Sequence, residues 1–299
     1  MAAFGSNRDV DALARGRSTA VLLISSPDRK GLVARISDFI FSHGGNILHA
    51  DHHVDAEAGL FLMRIEWDLE GFDLGRNEIA SRFEGLAREL NLRWRLQFTD
   101  DVPRSAILVS KQDHCLCDLL LRRRAGELNV DFSLVISNHP DHASVARYFE
   151  AEYLVLPVTS ETKPAQEAQI LSALAERKIQ LVVLARYMQI LSDAFVREFP
   201  ERILNIHHSF LPAFIGPRPY HRAYERGVKL VGATAHYVTS DLDDGPIIAQ
   251  DVVRISHRDS VGDLIRKGRD VEKMVLARAV RLHLEHRVLV YGNKTAVFD

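Results

Sequence analysis

Asn205 and His207 form the residue pair best suited to chemistry in this sequence. They stand two positions apart at the end of a predicted strand, Arg202–Ile206. Residues two apart on a strand point to the same face, so both side chains can enter one cleft. An amide donor beside an imidazole can polarise a carbonyl group and hold the oxyanion that forms when the carbonyl is attacked. The alternative is a pair with a structural role, in which the side chains cap a chain end or form hydrogen bonds within the core.

The acidic loop Thr239–Pro246 could supply the carboxylate that such a pair needs. An aspartate there can orient a histidine or accept a proton from a nucleophile. The alternative is an ordinary turn, because Gly245 and Pro246 suit the backbone geometry of turns. Spacing alone leaves both interpretations open.

A doubly wound, Rossmann-like α/β domain is predicted to position these residues. Strands that are apolar on both faces alternate with helices, as in a covered parallel sheet. Ligands bind such sheets at the carboxyl ends of the strands, where Asn205 and His207 lie. The predicted elements are strands Ser105–Val109, Phe132–Ile136, Leu154–Pro157 and Leu181–Ala185, helices near Cys117–Arg124, Ala143–Phe149 and Pro164–Arg177, an antiparallel pair Val231–Val238 and Ile247–Ile255, and a long helix around Val261–His286.

The first hundred residues carry a different pattern, β-α-β-β-α-β, which is the ferredoxin-like arrangement. Its predicted strands are Ala20–Ser25, Ile47–Val54, Gly59–Trp67 and Leu92–Phe98, and its helices are Lys30–His43 and Leu74–Leu90. The polar stretch Thr99–Pro103 is the best boundary. The sequence is therefore divided into domains at residues 18–99 and 104–299.

Composition excludes several classes of protein. The 299 residues carry 38 Lys+Arg against 40 Asp+Glu, which argues against a dedicated binder of nucleic acid or membrane surfaces. No apolar run approaches the roughly 20 residues of a spanning helix. The stretch Met1–Arg17 lacks an apolar core, so we expect neither a signal nor a transit peptide. Only two cysteines, Cys115 and Cys117, occur, which favours a reduced, cytoplasmic setting.

Other candidate sites in the sequence are weaker. A structural zinc ion usually needs four ligands in compact spacing, whereas the histidine clusters lie in separate segments. These clusters are His49/His52/His53, His207/His208 and His283/His286. We therefore predict no metal site. The remaining candidates are interpreted structurally: Cys115 as a small buried thiol rather than a nucleophile, Arg122–Arg124 as a solvated helix end, and His283 and His286 as surface or interface residues of the last helix.

Two motifs resemble those of the folate-dependent formyltransferases. They are N-I-H-H-S-F-L-P at 205–212 and L-D-D-G-P at 242–246. A longer resemblance, to the formyltetrahydrofolate deformylase family, spans nearly the whole chain from about Ala20 and includes an N-terminal ACT domain. It is carried by residues 26–36, 44–53, 184–191, 219–229 and 232–238. Pro217, where a small residue is expected, is a mild departure from the family pattern.

The resemblance implies a catalytic trio of Asn205, His207 and Asp243. Asn205 would donate to the formyl oxygen, and His207 would stabilise the oxyanion and transfer protons. Asp243 would set the charge state of His207 and position the attacking water. The resemblance also implies a loop that reads the pterin ring of folate with backbone groups and an apolar wall. That loop consists of Arg186, Tyr187, Met188, Gln189, Ile190 and Leu191.

The loop that follows the first strand of the second domain bears on the acceptor of the formyl group. An enzyme that formylates a phosphorylated amine needs glycines there, so that backbone N–H groups can hold the phosphate. The stretch Val109–Leu116 contains no glycine. Its side chains would fill the space that a phosphate requires, which favours water as the acceptor.

The activity implied by the resemblance is hydrolysis of 10-formyltetrahydrofolate, a linear amide, to formate and tetrahydrofolate. No cofactor is expected, and the reaction would supply formate, for example to purine synthesis, and balance the one-carbon folate pool. One alternative is a formyltransferase acting on an amine. Another is a regulatory protein that has lost turnover.

The ACT resemblance implies a homo-oligomer, a dimer or tetramer, with a small amino acid bound between subunits. The loop Pro27–Gly31 and the turn Gly44–Asn46 are expected to meet, which would place Asp28 and Asn46 in one effector site. The alternative is a domain that only assembles the oligomer.

Overall fold

The structure, a computed structural model, describes residues 18–212 and 219–299. The stretch Met1–Arg17 and Pro217 therefore lie outside the described residues. The chain forms two compact units. The first unit runs to Asp101 and also contains Glu285–Leu289 and Ala296–Asp299. The sequence had placed these two C-terminal segments in the second domain. The second unit comprises Val102–Leu284 and Val290–Thr295.

The first unit has the predicted β-α-β-β-α-β order. Its elements are β1 (Thr19–Pro27), α1 (Leu32–Ser42), β2 (Asn46–Asp55), β3 (Leu60–Asp68), α2 (Arg76–Leu90) and β4 (Arg93–Phe98). The antiparallel sheet has the order β2-β3-β1-β4. Helix α1 turns Leu32, Ile36 and Ile40 inward because residues four apart share one helix face. These three side chains join the core of the sheet.

Asp28 and Asn46 do not meet within one chain, so that expectation was wrong. Asn46 pairs with Asp68, which is itself opposite Thr19, whereas Pro27 pairs with Leu60 at the other end of β3. Helix α1 reverses the chain between the two loops and carries them apart. Roughly 25 Å of strand separates them at about 3.3 Å per residue.

The second unit is built on a mixed seven-stranded sheet. Its elements are β5 (Arg104–Val109), α3 (His114–Arg124), β6 (Asp131–Ser137), α4 (Ala143–Tyr148), β7 (Glu152–Val155), α5 (Lys163–Glu176), β8 (Leu181–Leu184), α6 (Asp193–Glu198), β9 (Ile203–His207), α7 (Pro219–Arg226), β10 (Leu230–Tyr237), β11 (Ile247–Arg254) and α8 (Val261–Leu284). The strand order is β11-β10-β9-β8-β5-β6-β7. Strands β5 to β9 are parallel, and β10 and β11 form the predicted antiparallel pair.

Several boundaries differ from the predictions. Helix α3 begins at His114 rather than near Cys117, which shortens the loop after β5 to four residues, 110–113. Helix α8 ends at Leu284, and His286 has a left-handed backbone with φ of 53°. Helices α6 and α7 and the short pair β12 (Val288–Tyr291) and β13 (Lys294–Val297) were not predicted. Across the described residues, no helix is long and apolar enough to cross a membrane.

Candidate active site

A cavity of about 610 Å³ lies in the second unit, where its parallel strands end. Strand β5 continues to β6 on one side and has β8 on the other, so the strand order reverses here. Such a switch point is where open α/β sheets bind ligands. The cavity is lined by the loops that follow β5, β8 and β10, by β9, and by residues of α7 and α8.

Asn205, His207 and Asp243 all line this cavity. His207 Nδ1 lies 3.1 Å from Asp243 Oδ1. The hydrogen bond from His207 lowers the pKa of Asp243 despite partial burial, so the carboxylate stays ionised and fixes Nδ1 as the donor. His207 Nε2 is buried without a hydrogen-bond partner in the part of the chain that the structure describes. This atom is left for substrate or water.

His236 orients Asn205, and sequence reasoning did not assign it a role. Its Nδ1 lies 2.9 Å from the carbonyl oxygen of Tyr237, which can only accept, so Nδ1 carries the proton. Nε2 then accepts from Asn205 Nδ2 at 3.1 Å. Burial lowers the pKa of His236 and keeps this neutral form. One N–H of the Asn205 amide is thereby used, and the amide has a second N–H that can donate to a carbonyl oxygen.

The residues from Arg186 to Leu191 line the same cavity as the trio. The Met188 and Ile190 side chains are 59% and 58% exposed and form an apolar wall. The Met188 N–H, however, donates to Ser110 Oγ at 3.0 Å, so this amide already has a partner within the chain. The Tyr187 hydroxyl lies 3.1 Å from Gln166 in the core. Recognition of a pterin ring by this loop stays a prediction.

Comparisons with known proteins identify relatives of this chain. A family model described as formyl transferase matches residues 103–280. A formyltetrahydrofolate deformylase from Synechocystis sp. is 59% identical over 280 residues, which cover 94% of this chain and 98% of the relative. The crystal structure of a formyltetrahydrofolate deformylase from Pseudomonas syringae pv. tomato superposes with a TM-score of 0.95 at 46% identity and 98% coverage of both chains.

The chain belongs to the formyltetrahydrofolate deformylase family.

Glycinamide ribonucleotide transformylases resemble this chain over a smaller part of its length. The structure of transformylase 1 from Symbiobacterium toebii has a TM-score of 0.64 at 33% identity and covers 69% of this chain and 98% of its own. The formyl transferase match begins at residue 103, after the first unit. The two kinds of enzyme therefore share the α/β architecture, while the deformylases match this chain almost from end to end.

Glu272 belongs to a second polar cluster in the same cavity, and this cluster was not predicted from the sequence. Ligand atoms of His114, Cys115 and Glu272 lie within 4.8 Å of one another. Arg186 Nε is 3.5 Å from Glu272 Oε2, so a guanidinium already balances the carboxylate charge. None of the predicted histidine clusters contributes to this group. The available signal was a glutamate on the otherwise apolar face of the last helix, beside Val271, Val275 and Leu276.

The other singled-out residues have structural partners. Cys115 is buried as predicted, and burial raises its pKa well above the usual value, which keeps the thiol protonated. Arg122 lies in the last turn of α3 and pairs with Asp118 and Glu127. His283, predicted to lie at the surface or at an interface, is partly buried, and its Nδ1 lies 2.7 Å from the Tyr237 hydroxyl.

Proposed function

We propose that this chain hydrolyses 10-formyltetrahydrofolate to formate and tetrahydrofolate. The observation that carries the proposal is the meeting of Asn205, His207 and Asp243 in one cavity, in a chain that matches formyltetrahydrofolate deformylases over more than nine-tenths of its length. The activity is that of a hydrolase acting on a linear amide. Formate and tetrahydrofolate released in equal amounts, with no amine present, test it directly.

The geometry supports a distinct role for each residue of the trio. The free N–H of Asn205 donates to the formyl oxygen and stabilises the negative charge that develops there. Water attacks the formyl carbon, with Asp243 and His207 positioned to hold it and accept its proton. The bond from the formyl carbon to N10 then breaks, and the proton ends on N10. His207 Nε2, which has no partner among the described atoms, is suited to passing that proton.

The exposed side chains of Met188 and Ile190 support a role for the 186–191 loop in folate binding. A flat heterocycle needs an apolar wall with a few polar anchors, and the loop offers both beside the trio. Replacing Ile190 with serine is expected to raise KM for the folate more than it lowers kcat.

Transfer of the formyl group to an amine is not favoured, because the relatives matched over the full chain are deformylases. Water as the acceptor needs no phosphate cradle, in line with a loop after β5 that has no glycine. A regulatory protein without turnover is also disfavoured by the assembled trio. A turnover assay separates these alternatives.

The first unit, as an ACT domain, would serve a homo-oligomer that binds an amino acid as effector. Since Asp28 and Asn46 lie at opposite ends of one sheet, an effector site that uses both takes them from different copies of the chain. Calorimetry with glycine and methionine on the wild type and Asn46→Ala, alongside activity, tests this. No heat and no activity change would reduce the unit to an assembly element.

The proposed setting is the cytoplasm, where the free thiols of Cys115 and Cys117 stay reduced. There the enzyme would supply formate for steps such as purine synthesis and adjust the one-carbon folate pool. It would use no metal or other cofactor. Formate release is therefore expected to survive dialysis against a chelator, and a loss restored by added metal would contradict this.

A further inference from the structure

The wall formed by Gln112, Arg186, Tyr220 and Glu272 differs in character from the rest of the cavity. Met188, Ile190 and Leu242 are exposed and apolar, whereas Glu272 is only 1% exposed. The apolar side suits a flat ring. The buried polar side is the part of the cavity with the chemistry to recognise an acceptor.

Both oxygens of Glu272 are occupied by the protein itself. Tyr220 donates its hydroxyl to Oε1 at 2.6 Å, and His114 Nε2 lies 2.7 Å from Oε2. An ionised carboxylate only accepts, so His114 is the donor. Arg186, which also contacts Gln112 at 3.2 Å, adds its charge on the Oε2 side.

The charge states of Glu272 and Tyr220 keep the hydrogen bonds of this cluster in place. Burial disfavours the Glu272 carboxylate, but the bond from His114 and the charge of Arg186 outweigh that effect and hold its pKa below the usual value. Burial and the charge of Glu272 raise the pKa of Tyr220, which therefore stays a donor. A buried carboxylate is the natural partner of an amine or hydroxyl group, and here each of its oxygens already accepts from a side chain of the protein.

The fold is shaped to admit the Tyr220 ring. A Cβ atom on Gly268, one turn before Glu272 on α8, would lie 2.1 Å from the Tyr220 hydroxyl oxygen. A glycine is thus required where the ring rests on the helix. The ring is also close to the reacting centre, since His208 lies between Tyr220 and His207 with ring centroids 6.4 Å and 5.1 Å away.

We propose that the His114–Glu272–Tyr220 network, with Arg186, determines the acceptor by closing the polar side of the cavity to amines and leaving water as the nucleophile. This inference rests on the proposed hydrolysis of 10-formyltetrahydrofolate. The network acts by exclusion and takes no part in proton transfer. Hydrolysis is therefore expected to survive its loosening.

The test compares formyl transfer with hydrolysis. The wild type, Tyr220→Phe and the double variant Tyr220→Phe/His114→Ala are given 10-formyltetrahydrofolate with an excess of glycinamide. In transfer, the amine nitrogen bonds to the formyl carbon, the carbon–N10 bond breaks, and the proton lost by the amine ends on N10. Formate, N-formylglycinamide and tetrahydrofolate are measured. Tyr224→Phe, an exposed tyrosine on the same helix, is the matched control.

We expect N-formylglycinamide per tetrahydrofolate to rise at least tenfold in the double variant, with formate still released, and to stay at background in the wild type and Tyr224→Phe. Formate without N-formylglycinamide in the double variant overturns the inference. So does loss of formate release in a folded Tyr220→Phe, because the network would then serve hydrolysis itself. If the double variant fails to fold, the same ratio is measured in Tyr220→Phe: a rise above the wild type supports the inference, and formate without N-formylglycinamide overturns it. A wild type that releases no formate contradicts the proposed function instead.

Discussion

At the residue scale, the catalytic trio was predictable in part. The N-x-H spacing and the acidic loop marked candidates, but the resemblance, not the spacing, selected Asp243 from its neighbours. The structure places Asp243 against His207, whereas Asp244 is exposed. His236 could not be found this way, because it reaches Asn205 across the β9–β10 pair, and that pairing was not predicted.

Asp243→Asn is expected to lower kcat by about two orders of magnitude or more, which is typical for the loss of an acid–base group. An asparagine keeps the shape but not the charge that orients His207. Asp244→Asn is the matched control and is expected to act like the wild type. Equal effects of the two substitutions on steady-state kcat, with unchanged melting temperatures, would show that the wrong aspartate has been assigned.

His236→Phe is expected to lower kcat about tenfold or more with little change in KM, because Asn205 loses the acceptor that orients its amide. His236→Gln, whose side-chain oxygen can accept, is expected to recover part of the loss. His283→Phe removes a histidine that does not line the cavity and serves as the control. A change confined to KM would argue against an orienting role.

At the element scale, regular periodic segments were predictable and chain ends were not. The apolar face of α1 predicted the bounds of that helix to within two residues at each end. Strands β12 and β13 have only four residues each, too few for an alternation to stand out. The first unit extends to Asp101 because Ser18 and Arg76 bond to Asp100 and Arg76 pairs with Asp101.

Arg64 on β3 is expected to contribute strongly to stability. It is buried, pairs with Glu66 at 2.7 Å and donates to the carbonyl oxygens of Glu285 and His286. Arg64→Met leaves Glu66 without its ion-pair partner, although the Thr19 hydroxyl still donates to Oε1 at 2.7 Å. We expect the substitution to cost about 3 kcal/mol in urea unfolding, as for other broken buried pairs. Arg35→Met breaks an exposed pair with Glu89 and is expected to cost under about 1 kcal/mol. Similar losses would mean that the burial of Arg64 does not matter.

His286 is expected to make stability depend on pH. Burial lowers its pKa to about 4, while the unfolded chain has the ordinary value near 6.5. Between these values the unfolded state binds the extra proton, so the free energy of unfolding falls as pH drops from about 6.5 towards 4. His286→Phe is expected to lose less melting temperature over this range than the wild type. An identical slope would place the titrating group elsewhere.

For the whole molecule, the two-part organisation and the succession of strands and helices along the chain followed from alternating patterns, but the order of strands within the large sheet and the proximity of residues did not. Parallel strands collect polar residues at their carboxyl ends, so one site could be predicted for Asn205 and the 186–191 loop. That Asp28 and Asn46 lie at opposite ends of the first sheet could not be predicted without the register of β1 and β2 on β3. Glu272 escaped for the same reason, since its partners come from three other segments of the chain.

Hydrolysis in ¹⁸O-labelled water shows whether water is the acceptor of the formyl group. The purified wild type is given 10-formyltetrahydrofolate and no amine, and formate is analysed by mass spectrometry beside Asp243→Asn. We expect one formate per tetrahydrofolate, each carrying one oxygen from the labelled water, and about a hundredth of that amount or less in the same time with Asp243→Asn. Absence of formate above background in the wild type, or formate without the label, would contradict the proposed hydrolysis.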